Sequence, residues 1–232
     1  PIRFDFLDTM GGQNLSLQVH PLTEYIQNTF GMHYTQDESY YILDCDEDAV
    51  VYLGLKEGVD KEEMLAALHE AQDKGTTFDA ERYVNCWRAK KHDHFLIPAG
   101  TIHCSGKNSM VLEVSATPYI FTFKLWDWGR LGVDGRPRPV HLKHGEKVIQ
   151  WDRTENLLNQ FSVLEQEDGY CVEHTGLHER EFIETKRDTL QKEHLFAGVG
   201  SVQMCNLIDG EGAVISSPKS AFSPFTVHYA ET

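Results

Sequence analysis

Residues 15–21 read Leu15-Ser16-Leu17-Gln18-Val19-His20-Pro21. Successive side chains of an extended chain point to opposite faces, so Leu15, Leu17 and Val19 share one face while Gln18 and His20 share the other. An oily face backed by a face of donor atoms predicts a strand in the wall of a β core, with Pro21 ending it. Two further donors stand beside apolar runs. Glu38 precedes Tyr40-Tyr41-Ile42-Leu43, and His103 follows Phe95-Leu96-Ile97-Pro98-Ala99-Gly100-Thr101-Ile102, whose Pro-Ala-Gly turn redirects the chain sharply. Two imidazoles, a carboxylate and an amide oxygen suit a divalent metal ion and leave it room for substrate oxygens, which is a Lewis acid's arrangement. A lone histidine is more often a hydrogen-bonded structural residue than a ligand, by about three to one. The set of four, Gln18, His20, Glu38 and His103, carries the metal reading.

Working outward, the neighbouring segments also read as β. Pro1–Asp8 alternates from its first residues, which predicts a strand and a chain that begins within a domain. Further strands are expected at Ser39–Asp44, Ala49–Leu55, Phe95–Ile97, Met110–Ser115 and Tyr119–Trp126. Thr23–Phe30 reads as a short helix, and Asp44–Asp48 as a solvated acidic turn. Asp60 as cap, Glu63 three residues on, the Met64, Leu68 and Ala71 stripe and a closing Gly75 predict one inserted helix whose stripe packs on the core. Many short strands with one inserted helix argue for a sandwich or barrel of the jelly-roll kind. The Gly-, Pro- and Arg-rich stretch Gly129–Pro139 and the polar residues after Trp151 place a boundary near Gly145–Thr154. The expected domains are residues 1–150, holding the metal, and 151–232, an incomplete second β domain. Its strands are expected at Phe182–Thr185, Ser201–Ile208, Ala213–Ser216 and Phe225–Tyr229, with a hairpin turn at Asp209–Gly212.

At 232 residues and 41% hydrophobic, the chain is long enough for one large or two small cored domains. Its 36 acidic against 21 basic residues give a net charge of −15, which repels nucleic-acid backbones and anionic membranes. No stretch approaches the ~18 apolar residues of a membrane span, and a cytoplasmic location is expected. Five scattered cysteines without a CxxC pair read as reduced thiols in cores. His92-Asp93-His94 has same-face spacing but lies in a lysine-rich turn and reads as surface. His141 and His144 fall in the connector, and His174 and His178 flank Gly176, so none of these is assigned to the metal. Serine-hydrolase, phosphate-loop and dinucleotide fingerprints are absent from the sequence.

The Leu15–Pro21 stretch, Glu38 before Tyr40–Leu43, Phe95–His103 and Asp127-Trp128-Gly129-Arg130 together resemble the class I mannose-6-phosphate isomerases, which are zinc-dependent cupins. The resemblance covers most of residues 1–145 and loosens beyond 150. It implies a tandem cupin fold, zinc on Gln18, His20, Glu38 and His103, and Arg130 beside a bound sugar phosphate; Asp127, three residues before Arg130, is read as orienting it or exchanging protons. One departure stands out: the family's lysine two residues before the glutamate ligand, a candidate for proton transfer, is Gln36 here, which cannot take up or release a proton at neutral pH. The implied activity is aldose–ketose isomerisation of a sugar phosphate, mannose 6-phosphate to fructose 6-phosphate. An iron-dependent cupin dioxygenase and a non-catalytic sugar-binding cupin are the rival expectations, separated by metal content and by turnover.

Overall fold

The computed structural model describes residues 2–117, 119–176, 183–198 and 200–232. In chain order the first elements are β1 (Arg3–Asp8), β2 (Leu17–Val19), α1 (Thr23–Phe30), β3 (Glu38–Cys45), β4 (Val50–Leu55), α2 (Lys61–Lys74) and α3 (Ala80–Tyr83). Next come β5 (Val84–Arg88), β6 (His94–Ile97), β7 (His103–Ser105), β8 (Ser109–Ser115), β9 (Phe123–Trp126) and α4 (Leu142–Val148). The last are β10 (Ser162–Glu167), β11 (Tyr170–Gly176), β12 (Thr185–Leu190), β13 (Gly212–Ile215) and β14 (Phe225–His228). The chain divides into two compact units, one up to Thr189 and one spanning Leu190–Thr232.

In the first unit two antiparallel sheets are built in the orders β1-β8-β3-β6 and β5-β4-β7-β2-β9. From β1 to β9 the chain repeatedly crosses from one sheet to the other, the path of a jelly roll. Tyr40, Ile42, Val51, Leu53, Phe95, Ile97 and Val111 fill the space between the sheets. The outer face of the five-stranded sheet is covered by helices: Leu17, Val19, Ile102 and Cys104 pack there with Met64, Leu68, Leu142 and Val148. Leu17 and Val19 therefore face the helices and Gln18 faces the space between the sheets, as the alternation of Leu15–His20 requires.

Helix α2 follows its sequence signals closely. The Asp60 carboxylate accepts from the Glu63 backbone N–H at 2.8 Å, Gly75 closes the helix at φ 69°, and Met64, Leu68 and Ala71 are buried. Truncating Leu68 to alanine should cost roughly 2–5 kcal/mol, because the sheet beneath cannot collapse into the hole.

Several expectations need correction. β9 starts only at Phe123; before it, the Thr117 hydroxyl donates to the Tyr119 carbonyl at 2.6 Å, a local turn that competes with the ladder. Ser201–Ile208 is not a strand: the backbone of Leu207 pairs with Glu231 and Ala230, and that is its only such pairing among the described residues. The strand expected at Phe182–Thr185 begins at Thr185, while Phe182 and His178 lie outside the described residues. α4 and strands β5, β10 and β11 went unread, because short mixed-polarity segments carry little periodicity. Of the cysteines only Cys104 is buried; Cys45 and Cys171 are half-buried, and Cys86 and Cys205 are exposed.

His94 is the clearest correction. Far from lying at the surface, it opens β6 fully buried, and its Nδ1 donates to the Thr175 carbonyl of β11 at 2.8 Å. Burial holds its pKa down at about 4. The three-stranded sheet β10-β11-β12 supplies that cover, which the lysines preceding His94 in sequence do not reveal. No helix among the described residues is long and apolar enough to cross a membrane.

Candidate metal centre

Each donor is placed by an element whose formation is legible. Gln18 on β2 stands directly opposite His103 on β7, and cross-strand partners point to one face. Glu38 opens β3, facing Ile97 on one side and Ser115 on the other. His20 follows β2, and its carbonyl accepts from the Gly100 N–H at 2.8 Å, which pins it to the Pro98–Gly100 turn. Gly100 holds φ 89°, a conformation that L side chains rarely adopt, and Asp37 secures the same turn by accepting from the Ala99 N–H at 2.7 Å. The turn then delivers His103.

The result is a buried cluster in which His20, Glu38 and His103 each bring a donor atom within 4.8 Å of the others. His20 Nε2 lies 3.2 Å from Glu38 Oε2, and His103 Nε2 lies 2.8 Å from Glu38 Oε1. Nδ1 of His20 is 2.9 Å from the Phe121 carbonyl, and Nδ1 of His103 is 2.9 Å from the Thr101 carbonyl. A carbonyl can only accept, so both Nδ1 atoms carry the proton, and in a neutral ring each Nε2 is a bare lone pair facing a carboxylate. His20 Nε2 and Glu38 Oε1 are buried without a hydrogen bond. Lone pairs converging on one point are what a divalent cation resolves, and imidazoles fixed through Nδ1 are the usual ligand form. Burial opposes charge on both groups, yet the carboxylate drives the His20 pKa up and the two imidazoles hold Glu38 well below the usual carboxylate range. The Gln18 amide nitrogen sits 3.2 Å from His103 Nε2, and turning that amide over brings its oxygen to the same place. The residues fit a divalent ion.

Gln36 is 2% exposed and sits beside Glu38. Its Nε2 donates to Glu38 Oε2 at 2.7 Å and to Glu113 Oε1 at 3.0 Å, while its Oε1 accepts from the Phe121 N–H at 3.1 Å. Gln36, Gln18, His20, Ser16, Asp5 and Glu113 line one open cleft of about 200 Å³. Glu113 was not anticipated as part of the site. Burial, and after it the Glu38 carboxylate, push its pKa up to about 9, so it stands protonated at neutral pH. A signal was present: Glu113 is the only charged residue inside the apolar run Met110–Val114, on a strand buried on both faces. Asp37 gave no comparable sign beside Glu38.

Asp127 and Arg130 are brought together, but not onto the His20–Glu38–His103 cluster. The Arg130 guanidinium pairs with the Asp127 carboxylate and donates to the Asn14 carbonyl at 2.8 Å. Arg138 reaches the other Asp127 oxygen at 3.1 Å, and Ser16 donates to Asp127 at 2.6 Å. Burial pulls the Asp127 pKa up, but the Ser16 hydroxyl and the Arg130 guanidinium hold it below its ordinary value. With Asp127 only 3% exposed, this is no surface ion pair, and it touches the cleft through Ser16.

No family model matches the chain. It is 33% identical over 138 residues to the mannose-6-phosphate isomerase ManA of Bacillus subtilis (strain 168), a match covering 60% of this chain and 41% of that one. Against the probable mannose-6-phosphate isomerase GmuF of the same organism it is 28% identical over 149 residues, covering 64% and 44%. The chain thus spans less than half the length of these two relatives. The crystal structure of the mannose 6-phosphate isomerase from Bacillus subtilis superposes with a TM-score of 0.74 at 19% identity, covering 99% of this chain and 67% of that one. A putative mannosephosphate isomerase from Archaeoglobus fulgidus gives a TM-score of 0.54 at 19% identity, covering 75% and 50%. The cupin-type fold is common to them.

Proposed function

Because the chain is a relative of the class I mannose-6-phosphate isomerases, with their cupin fold, we propose that it is a zinc-dependent aldose–ketose isomerase that interconverts mannose 6-phosphate and fructose 6-phosphate. The observation that carries the proposal is the converging, buried donor set of His20, Glu38 and His103, in which His20 Nε2 and Glu38 Oε1 lack a hydrogen bond, with Gln18 beside it at a cleft of about 200 Å³. When bound, a divalent ion supplies Lewis-acid polarisation of adjacent sugar oxygens.

The chain's own residues do the rest. The Phe121 and Thr101 carbonyls hold both imidazoles with Nε2 forward, and Gln36 orients the Glu38 carboxylate by donating to it. Ser16 presents a hydroxyl to the cleft, fixed by Asp127, whose charge Arg130 and Arg138 balance; Asp127 and Arg130 are positioning residues on this account. Proton movement between C2 and C1 needs a group that changes protonation near neutral pH, and Gln36 cannot serve. Turnover of the phosphorylated sugar is therefore slow. Residues 151–232 are, on the same reading, a second cupin-like β region, of which the part up to Thr189 packs within the first compact unit.

Steady-state conversion of mannose 6-phosphate, measured before chelation, after it and after zinc is returned, tests the assignment. Slow turnover that disappears with the metal and returns with zinc is expected. A fully zinc-loaded protein with no turnover would overturn it.

A further inference from the structure

We propose that Tyr40 is a positioning residue of the metal centre: its hydroxyl donates to Glu38 Oε1 and holds that carboxylate oxygen in place for the ion. The inference rests on the metal assignment above and adds a residue from within the barrel core. Tyr40 lies two positions after Glu38 on β3, directly opposite Glu113 on β8 and Phe95 on β6. Side chains two apart on a strand share a face, so Tyr40 follows Glu38 along the inner face of the sheet. Its ring meets that of His103 edge-on, with centroids 5.9 Å apart, and the residue is fully buried.

A tyrosine hydroxyl at that depth ordinarily has a hydrogen-bond partner. This one lacks a bond of full geometry among the described residues. Burial, and after it the Glu38 and Glu113 carboxyl groups, push its pKa well above the usual tyrosine value, so the oxygen keeps its proton. Of these two carboxyl groups, Glu113 is already supplied with donors. Its Oε1 accepts from Ser115 at 2.6 Å, Gln36 at 3.0 Å and Arg3 at 3.4 Å. On Glu38, Gln36 donates to Oε2, while Oε1 is buried without a donor. A donor short of an acceptor thus sits beside an acceptor short of a donor. A carboxylate oxygen has two lone pairs, so Oε1 can accept the tyrosine proton on one and face a cation with the other. Every ligand of the cluster then has an outer partner: backbone carbonyls for the two imidazoles, Gln36 and Tyr40 for the two Glu38 oxygens.

Tyr41 is the control. It is the next residue on β3 and is also buried, but its hydroxyl lies 3.1 Å from His92 Nδ1 and accepts from Arg187 at 3.2 Å, on the other face of the strand.

The test is zinc affinity, measured by competition with a chromophoric chelator, for wild type, Tyr40→Phe and Tyr41→Phe, with urea unfolding of the metal-free proteins alongside. Phenylalanine keeps the ring and removes only the hydroxyl. Tyr40→Phe is expected to fold and to bind zinc roughly 10-fold more weakly, within the range usual for losing an outer hydrogen-bond partner. Tyr41→Phe is expected to bind zinc as the wild type does. Wild-type affinity in Tyr40→Phe overturns the inference and leaves the metal assignment standing. Equal losses in the two variants overturn it too, because they would trace the effect to the packing of β3, and so does a Tyr40→Phe protein that fails to fold. A wild type that binds no zinc counts against the metal assignment itself and takes the inference with it.

Discussion

The rings of His20 and His103 lie with centroids 4.9 Å apart and planes tilted by 35°, and both turn Nε2 to the Glu38 carboxylate. Neither ring is free to rotate, because each Nδ1 is bound to a backbone carbonyl. Three groups from β3, β7 and the end of β2 thus aim lone pairs at one point inside a core. Left unfilled, that point would place buried polar atoms together without compensation, a cost of several kcal/mol.

Gln36→Lys is expected to raise kcat for mannose 6-phosphate by roughly 100-fold, the lower end of the ~100- to 10,000-fold usual for a general acid or base. A lysine there would meet the Glu38 and Glu113 carboxyl groups that Gln36 now contacts. It would also leave the Phe121 N–H without its acceptor, so a loss of about 1–3 kcal/mol in stability should accompany the gain. Kinetics with zinc measured in both proteins check this. Fast wild-type turnover that the variant does not improve would show that another group moves the proton.

Gly100→Ala should weaken both fold and metal binding. The residue holds φ 89°, and a Cβ there would lie 2.3 Å from Gln150 Cγ, so either Gln150 or the turn must shift. A cost of about 1–3 kcal/mol is expected from the strained conformation, read by urea unfolding. Because the same turn places His103, zinc affinity should fall with it. Unchanged zinc affinity would mean that His103 is held independently of the turn.

Stability should fall in mild acid through His94. Its folded pKa is about 4 against an ordinary 6.5, so the folded state binds fewer protons than the unfolded state between those values. Stability is then full above about pH 6.5 and declines as pH falls toward 4, by about 2 kcal/mol between pH 7 and pH 5. Urea unfolding of wild type and His94→Gln at both pH values checks the sign and the size. An equal decline in the variant would place the effect on other groups.

What the sequence disclosed follows from where its signals lie. Strict alternation through Leu15–His20 exposed both the strand and its donor face, and α2 announced itself through Asp60, Glu63 and Gly75 because cap, stripe and stop agree. The donors were legible for the same reason: Gln18 and His20 are two apart, and the turn before His103 has a composition that few other turns share. Glu113 and Asp37 were harder to read because their importance comes from long-range pairing, with Gln36 just before β3 and with the Ala99 backbone. His94 was misread for a related reason. Its cover comes from Thr175, 81 residues later, and local composition pointed to solvent.

Elemental analysis of the purified wild-type, His20→Ala and His103→Ala proteins tests the central claim most directly. Losing a direct ligand from this donor set should lower affinity by more than the ~10- to 100-fold typical of losing an outer hydrogen-bond partner. About one zinc per chain in the wild type and little in either variant after dialysis is the predicted result. Full zinc occupancy in both variants would contradict the account.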